Sequence, residues 1–554
     1  MKNNKALKVS LKNEIISRTF FVAVCMAAGI SAMQAQILDN DGEWLSATGA
    51  GGWSDSTKWV GGTIAYGEDQ TATFTNMPGR TITLTEDIVI GNIVVASETY
   101  SSGSWTISGT HTLTLATSGA DAPLIDLDVQ NGNNILSITA VLAGTDGFKK
   151  VGRGRLYLSN PGNIFTGGVE IAEFELYSAS EGTMNGNTVT LSGGTWLMHG
   201  AATTSTYQND VILAADVGAL RVNNPYIVLD GSISETGGKR DLNITSNNVN
   251  GHITLMKGST YTGNTNIGNS AGDTPVVVRA AHNNAFGLGV ANVRFSDNGT
   301  TKAHDDDALE LTNNITISDK TLTLRGTGKN NAGSLRSISG DNTWEGNVDT
   351  GTFGNATLGV DADELTIEGV ISGTGENGLT KVGEGVLVLN NNNTYSGGTT
   401  VNAGVLQVGH DNALAGGALV LGDGEGVDSL RLASGVSLNV SNLTLTSSAS
   451  FDFTLNGVFD ATRVLVAGGQ IGDGTYTVNI FDNGIVEGTY TLLQITGSYA
   501  ATNFILGTPN ANYSLDWEEG TLSLNVIPEP DSALLLALAL SAGIFFRNRK
   551  IAVS

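Results

Sequence analysis

Cysteine is nearly absent from this chain of 554 residues: there is one, Cys25. It lies in an apolar run, residues 20–30, which follows Lys2, Lys5, Lys8, Lys12 and Arg18 and precedes small residues at 31–35. That order reads as a secretory signal peptide cleaved near Ala35, and Val24, where a lipoprotein box wants Gly or Ala, argues against lipidation of Cys25. The processed chain then has no thiol, which excludes disulfides, thiol nucleophiles and cysteine-ligated zinc. Proline is scarce (8 residues) beside 73 glycines, and only 15% of residues are charged, so the chain is neither collagen-like nor charge-rich disorder. The six histidines show no metal-ligand spacing, and no Ser/His/Asp set carries a nucleophile-elbow motif. Positive charge is short: 28 Lys and Arg face 53 Asp and Glu, and a net charge of -25 opposes nucleic acid. A cofactor or metal is not expected.

Short alternating runs of Val, Leu, Ile and Thr fill the space left by these absences and mark an all-β chain. Internal repetition gives the architecture. Residues 147–160 align without gaps on 378–391, so that Lys150, Val151, Gly152, Gly154, Leu156 and Leu158 meet Lys381, Val382, Gly383, Gly385, Leu387 and Leu389. After a one-residue slip, Asn163, Phe165, Gly167 and Gly168 meet Asn393, Tyr395, Gly397 and Gly398. A worn third copy has Thr260, Tyr261, Thr262 and Gly263, with His282, Asn283, Asn284 and Ala285 echoing His410, Asp411, Asn412 and Ala413. These units resemble the autotransporter-associated β-strand repeat of bacterial surface and secreted proteins. The resemblance implies a parallel β-solenoid in which each repeat of ~30 residues is one rung that must stack on its neighbours. In Val386–Leu389 side chains alternate between a core row and an outward row, while Gly397 and Gly398 permit a tight corner.

The C-terminal end combines Pro528, Glu529 and Pro530 with an apolar run at 532–546 and a basic tip of Arg547, Arg549 and Lys550. About 15 apolar residues rise roughly 22 Å as helix, short of the ~20 residues of a comfortable span. The basic tip would stay cytoplasmic and leave everything upstream outside. This order resembles the PEP-CTERM sorting signal of Gram-negative bacteria, which implies export by the Sec machinery, a transient inner-membrane anchor and processing by exosortase. A self-transporting passenger would instead need a C-terminal membrane barrel of many amphipathic strands.

The reading is therefore an all-β, right-handed parallel β-helix or β-solenoid with β caps, flanked by an N-terminal signal helix and a C-terminal short transmembrane helix. Its segments are a signal peptide (1–35), an N-terminal β region capping the solenoid (36–145), the solenoid (146–456, repeats at 147–177, 252–287 and 378–409), a C-terminal β cap (457–526) with Trp517 in its core, and the sorting signal (527–554). Trp44, Trp53 and Trp59 read as a plug over the first open rung or, as the functional alternative, a sugar-stacking platform.

Candidate chemistry is sparse. His304, Asp305, Asp306 and Asp307 form the densest acidic cluster, but adjacent strand residues point to opposite sides, so the cluster reads as a solvated turn. Asp361, Asp363 and Glu364 read the same way, as do Asp423 and Glu425. The expectation is a non-enzymatic surface or extracellular-matrix protein, structural or adhesive, with exopolysaccharide or other surface proteins as its candidate partners. The alternative is a β-helix lyase or glycoside hydrolase. It would require two or three carboxylates, or a Lys or Arg base, converging on one outer face across adjacent rungs.

Overall fold

The computed structural model describes residues 39–527, apart from short stretches at 46–48, 76–78, 98–102, 130–131, 133, 201–203, 269–273, 296–305, 352–354, 375–376, 423–427, 446–448, 457–462, 472–473, 497 and 500–501. The signal segment ending near Ala35, the motif Pro528, Glu529 and Pro530, the run at 532–546 and the tip Arg547, Arg549 and Lys550 lie outside the described residues. Among the described residues no helix is long and apolar enough to cross a membrane.

The chain winds as a parallel β-solenoid of about 16 turns with almost no helix. Four sheets run along it and hand over to one another. An 11-stranded sheet begins at Gly42–Trp44 and ends at Ile233–Glu235, and a 14-stranded sheet runs from Gly51–Gly52 to Ile371–Ser372. A 13-stranded sheet then runs from Ser205–Tyr207 to Ser498–Tyr499, beside a 9-stranded sheet from Thr316–Ile317 to Thr502–Leu506. Pairing in these ladders is parallel, and the inward row is continuous: Leu156 stands over Leu176, Leu176 over Trp196, and Trp196 over Leu220. Those side chains are buried in one cluster reaching from Trp44 to Leu524. Each fully buried Leu or Val adds roughly 1.5–3 kcal/mol, which no isolated turn could collect.

Parallel pairing extends beyond the stretch that the repeats mark. It starts at Gly42–Trp44, whose residues pair with Ala72, Thr73 and Phe74, and it continues through Gly474–Asn483 with Thr502–Leu506. A solenoid needs only alternating apolar rows, so its extent exceeds that of any recognisable repeat. Among the described residues, isolated antiparallel bridges link Asn40 to Tyr66 and Trp44 to Trp59, and antiparallel ladders join Gly488–Ile495, Thr521–Val526 and Tyr513–Glu518. There Trp517, half-buried, packs its ring 5.0 Å from Phe504. At the other end Trp44, Trp53 and Trp59 are fully buried around Phe74, with Trp59 Nε1 donating to Trp53 O at 2.6 Å. Buried rings of this kind offer no platform to a sugar.

The repeat unit and the turn of the coil differ in length. Leu379 pairs with Thr399 and Val386 with Val405, so the repeat spans about one and a half turns, and Asn393 Nδ2 reaches Ala413 O twenty residues on. Asn393 is the corner tie: its Oδ1 also accepts from Ile371 N at 2.7 Å in the preceding turn, and Asn163 does the same between Leu142 N and Thr183 O. The worn copy keeps its own contacts, because Tyr261 and Tyr395 each bond a threonine four residues on at 2.6 Å. Gly167 takes φ +94°, the left-handed region. Gly397 is required differently, since a Cβ there would sit 2.4 Å from backbone atoms of Asn377 and Gly378.

Candidate functional site

Two sets of ionisable side chains stand out, one in the core and one on the surface. Lys150 and Lys381 occupy the inward row, the first in register with Ile125 and Ile171, the second with Leu358 and Val401. Both are buried. Lys150 Nζ donates to Gly152 O and Glu173 O at 2.6 Å, and Lys381 Nζ to Gly383 O at 2.5 Å and Ala403 O at 2.9 Å. Each ammonium thus joins its own turn to the next, satisfying carbonyls that the corner leaves without strand partners. Burial pulls both pKa values down to about 8, against the raising charges of Glu173 and Asp126 beside Lys150 and of Glu384 and Asp428 beside Lys381. The identity of Lys150 and Lys381 in the ungapped alignment was the signal for this role.

On the outer face of the 13-stranded sheet, four successive strands (Gly251–Leu255, Val276–Ala280, Ala308–Thr312 and Leu335–Ser339) bring His252, Arg279, Glu310 and Arg336 together. Alternation forces this: Ile253, Val278 and Leu309 fill the core, so their neighbours point out. Glu310 is the hub, only 6% exposed. Its Oε2 accepts from Arg279 Nε at 2.9 Å, Arg279 Nη2 at 2.7 Å and lies 3.3 Å from His252 Nε2, while Oε1 accepts from Arg336 Nη1 at 3.2 Å. Burial pushes the Glu310 carboxyl up, but the His252 hydrogen bond and the charge and hydrogen bonds of Arg279 outweigh it and leave the pKa below the usual range. Arg336 continues the ladder to Asp361 at 2.9 and 2.5 Å.

These side chains line a cleft of ≈ 510 Å³ whose other walls are Pro225, Tyr226, Asn250, Val277, Lys329 and Asn330. The wall is made by a loop that doubles back. Lys329 Nζ donates to Val249 O at 2.5 Å and Asn250 Oδ1 at 3.0 Å, eighty and seventy-nine residues earlier in the chain. A second outer ladder, Arg155–Glu175–Arg221, lies on the 14-stranded sheet beside the rings of Tyr157 and Tyr177, whose centroids are 4.4 Å apart at a tilt of 39°.

The acidic residues singled out from the sequence do not converge. Asp307 is buried and accepts from Val276 N at 2.7 Å, a structural role rather than a solvated turn. Burial pushes its carboxyl up to about 7, opposed by that hydrogen bond and aided by Asp306. Asp363 accepts from Gly340 N, and Glu364 from Thr366. His304, Asp305, Asp423 and Glu425 lie outside the described residues. Among the described residues no group of three His, Cys, Asp or Glu could hold a metal ion.

A model of the passenger-associated transport repeat matches residues 148–173 and 379–408, the two segments that carry Lys150 and Lys381. This repeat marks the chain as similar to exported or surface β-helical proteins. Comparison with curated proteins and with solved structures gives no match.

Proposed function

We propose that the protein is a non-enzymatic scaffold or adhesin of the cell surface or extracellular matrix of a Gram-negative bacterium. It is exported through the Sec machinery, anchored transiently in the inner membrane and processed by exosortase at Pro528, Glu529 and Pro530. The observation that supports this most is the pair of passenger-associated transport repeats on a solenoid whose matched segments turn their lysines inward as structural ties. Exopolysaccharide or sister surface proteins are the partners in this reading. Replacing Pro528, Glu529 and Pro530 with alanine leaves the apolar run intact, so the chain should insert but stay in the inner membrane. Mass spectrometry of exported wild-type material should find no residues after about 530. Peptides covering 551–554, as abundant there as the body of the protein, would reduce the tail to a plain anchor.

The cleft around Glu310 favours a second reading, a β-helix enzyme acting on polysaccharide, because it gathers Arg, Lys, His and carboxylate groups from adjacent turns on one outer face.

A further inference from the structure

We infer that the cleft on the outer face of the 13-stranded sheet binds a carboxylate-bearing sugar of a sparsely charged polysaccharide. The proposal deepens the scaffold reading, on which it rests for the source of the ligand.

Charge is the first argument. The chain carries -25 overall, yet this cleft is lined by Arg279, Arg336 and Lys329 with Glu310 as its single carboxylate among the described residues, and His252 adds to the positive side when protonated. Glu310 already shares both oxygens among three partners and Asp361 holds Arg336 from the next turn, so the two carboxylates offset two of the three cationic charges and the third faces the cleft. A low-exposure carboxylate that fixes two guanidinium planes is a positioning device for a second anion. Arg279 has Nε and Nη2 held on Glu310, which leaves its Nη1 without a partner among the described residues.

Shape and composition argue for a sugar rather than a bare anion. The volume of ≈ 510 Å³ falls inside the rough 300–1,000 Å³ range of small-molecule sites. Tyr226 is 53% exposed at the rim, where packing gives no reason for a large ring, and an aromatic face suits pyranose C–H groups. Asn250 and Asn330 supply amides for hydroxyls. The wall is pre-ordered: Lys329 ties it to Val249 and Asn250, and Asn330 and Asn331 are held at φ +58° and +59°. The net charge of -25 repels densely charged polyanions, so a chain with one carboxylate every few sugars fits best.

The test uses the full chain in detergent and titrates hyaluronan tetrasaccharide, in which uronate and neutral sugars alternate, against neutral chitotetraose. The hyaluronan fragment should bind at least about tenfold tighter, the size of one charge-assisted hydrogen bond, and weaken as salt rises. Arg279→Gln, Lys329→Gln and Tyr226→Ala should each weaken it with the β spectrum retained; Tyr226 is exposed enough that its variant remains informative if Arg279→Gln fails to fold. Equal affinity for the two sugars, indifference to Tyr226→Ala and Lys329→Gln, or complete displacement by inorganic phosphate would overturn the proposal. Cell fractionation separates the two readings. An exported protein that ignores uronate retires the cleft and leaves the scaffold, whereas uronate binding by a chain that stays inside the cell retires the scaffold alone.

Discussion

The turns around Lys381 and those around Glu310 belong to the same 13-stranded sheet, yet they place charge on opposite sides of it. Lys381 stands in the inward row over Leu358, and Glu310 in the outward row between Arg279 and Arg336. Coil length accounts for the difference. In the repeat, Lys381 pairs with Val401 after twenty residues, and an equivalent tie at Asn393 spans twenty. Such a turn has no residues left for an excursion, so its polar groups can only close the corner. Between Arg279 and Glu310 the separation is thirty-one residues and between Glu310 and Arg336 twenty-six, and the second of these turns carries Lys329 and Asn330, which wall the cleft. Tight coils therefore spend their polar groups on closing corners, and the wider coils carry the cleft.

The sharpest way to break this comparison is to ask whether the tight coil has slack. A valine at Gly397 would drive its Cβ to 2.4 Å from the Asn377 and Gly378 backbone, which cannot rotate away. Gly397→Val should cost roughly 3 kcal/mol or more, as overpacking against fixed neighbours does. Two glycines inserted between Asn330 and Asn331, in the wide coil, should cost less than about 1 kcal/mol, since loop entropy grows slowly with length. Hydrogen exchange reports each locally: Leu379–Val382 should lose protection in the first variant and Leu335–Ser339 should keep it in the second. Equal losses would mean that coil length does not separate the two regions.

The same physics decides what could be read from the sequence. Alternating rows and the 147–160 and 378–391 alignment carried the parallel solenoid, because successive turns repeat their side-chain roles even where turn length varies: Asn163 and Asn393, or Tyr261 and Tyr395, make equivalent bonds. The cleft was illegible. Its residues come from turns of unequal length and from a loop that reaches back eighty residues, so no fixed spacing links His252, Arg279, Glu310, Lys329 and Arg336. Sequence instead drew the eye to acidic runs, and there Asp307 proved to be a backbone acceptor in the interior.

A medium effect should come from the buried lysines. Their folded pKa lies near 8, below the ordinary 10.5. Between those values the unfolded chain binds more protons than the folded one, so the lysine contribution to stability rises with pH across that window. Each group could shift stability by on the order of 3 kcal/mol from pH 7.5 to 10.5. The urea midpoint of the wild type should therefore gain on that of a Lys150→Met, Lys381→Met double variant as the pH is raised. A difference independent of pH would mean that the two ammonium groups are not held in the core row.

The smallest expected effect is no turnover at all, and it tests the wide coil against the enzyme reading. Glycoside hydrolysis needs two carboxyl groups facing the scissile bond, about 5–9.5 Å apart, and among the described residues this cleft is lined by one carboxylate, Glu310, held by three partners. Elimination from a uronate needs instead a base free to take a proton. His252 Nε2 lies against Glu310, and Lys329 directs two of its three protons at Val249 and Asn250. Incubation with acidic and neutral polysaccharides should accordingly release neither unsaturated nor reducing ends. Product that appears with wild type and vanishes with His252→Gln or Lys329→Gln would turn the cleft from a grip into an active site, and the distinction between the two kinds of coil would then be one between scaffold and catalyst.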